Sequence, residues 1–163
     1  MIKRLAPLLI LPLLAGCGFT PLYAENGVGP ALSSVDVISP KGRVGYLMQE
    51  QLDDALARSR GEKARYRLTM NTNEVRTPRG LRLDNTATEY ELNLTVIYTL
   101  VENASGRVLL TGAVQSLVTY ESADAPYAGL MAQGDGQERA AAQAMSQIRL
   151  DLSRFFANPP KTP

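Results

Sequence analysis

From Thr88 to Val101 the chain alternates without a break. Tyr90, Leu92, Leu94, Val96, Tyr98 and Leu100 fall on one side, and Glu89, Glu91, Asn93, Thr95, Ile97, Thr99 and Val101 on the other. Successive side chains of a strand point to opposite faces, so this stretch reads as one long strand with an apolar face and a mostly polar one. That pattern leaves few architectures open. The apolar face has to be covered and the polar face can stay wet, so the strand belongs in a largely antiparallel sheet packed on one side only.

Two amphipathic segments can supply the cover. In Arg43 to Ser59, Val44, Leu47, Met48, Leu52, Ala55 and Leu56 share one helical face, with Glu50, Asp53, Asp54 and Arg58 elsewhere. Ser39-Pro40 offers an N-cap with proline at the first helical position, and Gly61 a stop. Near the end, Asp135 and Glu138 match a capping box, and Ala141, Ala144, Met145, Ile148, Leu152 and Phe155 form a stripe that runs towards Ala157.

Further strands are predicted at Ser33–Ile38, at Ala64–Val75 and at Arg107–Tyr120, the last after an Asn103–Gly106 turn and with Gly112 as a bulge candidate. Ser122–Gly134 reads as a loop. The expected fold class is α+β in two layers. Two amphipathic helices pack on one face of a four-stranded, largely antiparallel sheet, in the order β-α-β-β-β-α. Residues 33–157 form a single domain and 158–163 a polar tail. Arg65 and Arg67 are expected to pair across strands with Glu89 and Glu91 on the open face, while Tyr66, Tyr90 and Tyr98 join the core.

The start of the chain follows other rules. A basic head, Lys3-Arg4, precedes the uncharged run Leu5–Ala15, which as a helix would reach roughly 16 Å against a bilayer core of roughly 30 Å. Basic head, apolar middle and small-residue exit describe a secretory signal. Its last residues, Leu14-Ala15-Gly16-Cys17, resemble the bacterial lipobox, in which the cysteine becomes the acylated first residue of the mature protein. Residues 1–16 are thus expected to be a lipoprotein signal peptide, and 17–32 a lipidated N-terminus and tether, loosened by Pro21, Gly27, Gly29 and Pro30. Two or more acyl chains hold a protein to a membrane where one is marginal. Gly18 rather than Asp after the cysteine fits sorting to the outer membrane. A buried structural thiol is the alternative for Cys17.

Composition removes several function classes. The chain has no histidine and a single cysteine, which excludes Ser-His-Asp and Cys-His nucleophiles and zinc sites built from His and Cys. No phosphate-binding glycine loop is present. Glu89 and Glu91 are the carboxylates for a hydrolytic pair, but on an open strand face cross-strand pairing accounts for them better. No catalytic residues, no metal and no cofactor beyond a covalent lipid on Cys17 are expected. A net charge of +1 gives no field for nucleic acid.

The mature start, Cys17-Gly18-Phe19-Thr20-Pro21-Leu22-Tyr23, followed by the strand-helix-three-strands-helix order, resembles the lipopolysaccharide-assembly lipoproteins of the LptE family. That resemblance implies a non-enzymatic protein of the outer membrane, anchored by lipid and facing the periplasm and a barrel lumen. It implies an LptD-type β-barrel and lipopolysaccharide as partners. An auxiliary lipoprotein of another envelope lipid-transport system is the second reading. One surface feature suits a phosphorylated lipid. Between the second and third strands, Arg76, Arg79 and Arg82 lie in a predicted loop with Pro78, Gly80, Leu81 and Leu83. Guanidinium forks match phosphate oxygens and leucines match acyl chains. Contact with carboxylates of the barrel wall, or plain solvation, would explain the same residues.

Overall fold

The computed structural model describes residues 28–58, 63–83, 86–122 and 125–159. The signal segment 1–16, Cys17, most of the tether, Gly61 and the end of the polar tail lie outside them.

The elements are α1 (Val28–Ser33), β1 (Val35–Ile38), α2 (Arg43–Ala55), β2 (Tyr66–Leu81), β3 (Ala87–Glu102), β4 (Val108–Glu121) and α3 (Pro126–Ala157). The four strands form one sheet in the order β1-β2-β3-β4. β1 is parallel to β2, with Val35 opposite Tyr66, and the other pairs are antiparallel. The helices lie against one face, giving the α+β layering expected from the alternation. Leu92, Leu94, Val96, Tyr98 and Leu100 of β3 are all buried, and Met48 and Leu52 of α2 meet Ala141, Ala144, Met145, Ile148 and Leu152 of α3 in the same core. Val28 and Leu32 of α1 join it, so the segment read as tether already folds before Ser33.

Several boundaries move. α2 begins after Gly42, whose φ of 108° turns the chain, and not at Ser39-Pro40. Gly45 then lies so close to the Pro40 carbonyl that no Cβ would fit. α2 stops at a Schellman motif: Ala57 takes φ 49°, its N–H donates to the Asp54 carbonyl at 3.2 Å, and the Arg58 N–H donates to that of Asp53 at 3.4 Å. An ion pair from Arg58 to Asp36 ties this end to β1.

The bulge opposite Leu100 and Val101 leaves Leu109 as the extra residue, since Leu100 faces Leu110 and Val101 faces Val108. Gly112 serves close packing instead. It sits opposite Tyr98, and a Cβ there would run into the Tyr98 ring. The expected loop Ser122–Gly134 is largely helix, because α3 starts at Pro126, with proline in the first helical turn. Asp135 therefore lies inside α3 and pairs with Arg139 at 3.0 Å rather than capping.

The expected Arg76–Leu83 loop is also overturned. β2 continues through Pro78 to Leu81, and the reversal is confined to the residues between Leu81 and Ala87. This longer strand sets a register in which Arg67 faces Val101, so Arg65 and Arg67 do not meet Glu89 and Glu91. Arg79 faces Glu89 and pairs with Glu91 at 2.9 Å.

The sheet has two ends. At one, α1, Tyr66 and the close of α3 gather, with the Tyr66 and Phe156 rings 5.0 Å apart. At the other, the β2–β3 hairpin extends beside the start of α3.

Candidate functional site

The hairpin end carries the three arginines singled out in the sequence, and strand geometry separates them. Arg76 is even-numbered, like the buried Leu68 and Met70, and points to the helix side. Its guanidinium donates to Gln133 Oε1 at 2.9 Å and to the Tyr120 hydroxyl at 3.5 Å, and it lies 4.5 Å from the Tyr90 ring centroid. Tyr90 and Tyr120 stack at 5.7 Å, and Gly136 leaves room for the Tyr120 ring. The hydrogen bond with Tyr120 is the main cause that raises the Arg76 pKa further above its ordinary value. The guanidinium is charged at every working pH, and it fastens the start of α3 to the sheet. Gln137 repeats the arrangement one turn on, donating to both carboxylate oxygens of Glu74 at 3.0 Å.

Arg79 projects to the opposite, open face, where Glu91 holds it. Gly80 turns with φ 55°, and its carbonyl accepts from the Thr88 hydroxyl at 2.7 Å. Arg82 follows at the tip, where its N–H donates to the Thr86 carbonyl at 2.9 Å. Leu81 and Leu83 are exposed beside it. The structure thus brings the three arginines to one end of the molecule but not to one face.

A second group of residues stands at this end, in the segment expected to be a loop. Tyr127, Leu130 and Met131 occupy positions i, i+3 and i+4 of α3 and are 75%, 67% and 57% exposed. Leu130 and Met131 border a cleft of about 450 Å³ that Arg43, Gln133 and Asp135 also line. Their helical spacing after Pro126 was the available signal. Gly129, Gly134 and Gly136 masked it, since glycine lowers helix propensity by about 1 kcal/mol.

The open face of the sheet has its own character. Thr69, Asn71, Asn73 and Val75 of β2, Asn93, Thr95, Ile97 and Thr99 of β3, and Thr111, Ala113, Gln115 and Leu117 of β4 lie in register across it without a charge. Charged residues return only towards its ends, at Arg79, Glu89, Glu91 and Glu121 and at Arg67 and Asp36. Gln115 donates to Asn93 at 3.0 Å across the middle. Ile97, Leu117 and Val75 stay about half exposed there.

The sequence model of one family, LptE, described as lipopolysaccharide-assembly, matches residues 31–152. A crystal structure from Caulobacter crescentus CB15, of a protein designated a candidate lipoprotein, is 46% identical with a TM-score of 0.70, over 83% of this chain and 98% of that one. Rare lipoprotein B from Shewanella oneidensis superimposes with a TM-score of 0.58 at 14% identity, over 76% of this chain and 95% of that one. A minor lipoprotein from Acinetobacter baumannii gives 0.55 at 17% identity, over 79% and 94%. These two share the fold. No curated protein matches the chain.

Proposed function

The chain belongs to the LptE family of lipopolysaccharide-assembly proteins, and on that premise we propose that it is a lipid-anchored plug and assembly partner of an LptD-type outer-membrane barrel. In this reading residues 1–16 are removed, Cys17 carries the acyl chains, and the domain faces the periplasm and the barrel lumen. It assists delivery of lipopolysaccharide to the outer leaflet and performs no catalysis.

The observation that carries this reading is the uncharged, hydrogen-bonding open face. A wide barrel keeps an aqueous lumen unless something fills it, and the wall of that lumen is polar. A face of Thr, Asn and Gln can exchange its water for such a wall without burying an unpaired charge, which would be costly. The helix face is already spent on the core. At the hairpin end, Arg76, Arg79 and Arg82 supply cations and Leu81 and Leu83 apolar surface, a combination suited to a phosphorylated amphiphile.

The test of the plug is affinity isolation from membranes through a tag on the carboxy-terminal tail. The expected result is co-recovery of a large heat-resistant barrel in near-equal amount. Recovery of an inner-membrane transporter instead would favour an auxiliary lipoprotein of another envelope lipid-transport system. For the arginines, the triple change of Arg76, Arg79 and Arg82 to Ala is expected to weaken lipopolysaccharide binding by the purified domain at least tenfold at low salt, measured by titration calorimetry. Unchanged affinity removes the lipid role.

A further inference from the structure

β2 is bonded on both sides only over its first four residues. β1 covers Tyr66 to Thr69 and then stops at Ile38, because Pro40 and the Gly42 turn carry the chain into α2. From Met70 to Thr77, among the described residues, nothing pairs with the outer edge of β2. The phase of that edge follows from the hydrogen bonds. Asn103 N–H donates to the Arg65 carbonyl at 2.9 Å in the same register, so odd-numbered residues of β2 bond β3 and even-numbered ones point outward. Met70, Thr72, Glu74 and Arg76 therefore present backbone N–H and C=O groups to the edge. Pro78, the next even position, has no N–H and ends the row without cost to the β3 ladder.

Unpaired edges of this length are a template for another strand, which proteins block with bulges, prolines, charges or a covering element. Here Pro78 blocks the far end, and along the open run only Glu74 and Arg76 carry charge. The flanking side chains are uncharged on the open face, at Asn71, Asn73, Val75 and Thr77. On the other face Glu74 and Arg76 are held by neutral partners, Gln137 for one and Gln133 with Tyr120 for the other. We infer that this edge receives an extended segment of the barrel partner by β-strand addition. The segment is about eight residues long and proline-free, with a basic residue beside Glu74 and an acidic one beside Arg76.

A second copy of the chain fits the edge poorly. A two-fold pairing centred on Asn73 or Glu74 drives the copy's Pro78–Leu81 into the place held by β1. One centred on Val75 sets Pro78 against the donor and acceptor of Thr72. A short segment from a different chain meets neither obstacle.

The inference rests on the plug reading, and its test separates the two. Thr72→Pro with Glu74→Pro removes two outward donors and leaves the β3 bonds in place; it also removes the Gln137 contact of Glu74, and Glu74→Ala, which loses that contact alone, is expected to recover the barrel as the unaltered chain does. The double variant, expressed in cells and isolated through the carboxy-terminal tag, is expected to recover at least tenfold less barrel, while the purified domain keeps its circular dichroism spectrum. A photo-reactive amino acid placed at Thr72, which leaves the backbone whole, is expected to cross-link to the barrel even if the double variant folds badly. If the unaltered chain recovers no barrel, the plug reading falls and this inference with it. If the unaltered chain recovers the barrel, a folded double variant that recovers it equally well overturns the inference alone. So does a Thr72 cross-link that gives only a dimer of this chain, or no product.

Discussion

Tyr98 shows how much one residue of an alternating strand can carry. Its ring lies in the core, 3% exposed, its hydroxyl donates to Asp151 on α3 at 2.9 Å, and Gly112 opposite it leaves the space the ring fills. Burial first, and the bond to the Asp151 carboxylate second, raise its pKa well above the ordinary tyrosine value of about 10. In the unfolded chain the phenol ionises near pH 10, while in the fold it stays neutral. Its contribution to stability is therefore intact below about pH 10 and is lost as the pH climbs towards the raised folded value. Thermal melts from pH 7 to 11.5 should show Tyr98→Phe less stable at neutral pH by about 1–2 kcal/mol. The gap should narrow above pH 10, where phenylalanine has no proton to lose. The even phase of Thr88–Val101 places Tyr98 inside, so its burial is readable from sequence. Its partner is not, because Asp151 lies on an element whose angle to the sheet no local pattern encodes.

At the scale of elements, the segments with a strong period are the ones legible in the sequence. β3 and the Ala141–Leu152 stripe of α3 stand where the alternation and the helical spacing put them, because burial rewards the pattern along their whole length. The second half of β2 and the first third of α3 are not legible, and for one reason. Both project beyond the core, so burial rewards no face of either: Tyr127, Leu130 and Met131 of α3 stay exposed. β2 from Asn73 onward is exposed and is held as a strand by β3 alone. The glycine-rich start of α3 is held by Arg76 and Glu74 across the sheet. Arg76→Ala should free that start. Hydrogen exchange of the backbone amides from Tyr127 to Gln133 is expected to quicken roughly tenfold, equivalent to about 1.4 kcal/mol, with exchange from Ala140 to Leu152 unchanged. Equal quickening along all of α3 would mean that Arg76 supports the whole helix and does not act as a local fastening. The basic hairpin is the case in which residues expected in a loop lie largely on a strand: proline and glycine read as loop signals, while Pro78 takes the edge position at which a strand tolerates proline.

For the whole molecule, the order of elements matters as much as their packing. The long strands run between two ends of the sheet, and α1 leaves the described chain's start beside Tyr66, at the end where α3 closes. With the anchor on Cys17, mass spectrometry of native material is expected to find that residue first in the chain and carrying acyl mass, and Cys17→Ser to leave an unprocessed precursor. An unmodified thiol behind an intact leader would break the link between this domain and the membrane. The long hairpin then has a consequence for reach. Sixteen residues of β2 at about 3.3 Å each come to roughly 50 Å, against a hydrocarbon layer of roughly 30 Å. A body moored in the inner leaflet and standing upright inside a pore could lift its arginines past the far headgroups. Trimming two residues from each arm of the hairpin would lower that summit by about 7 Å and leave the core intact.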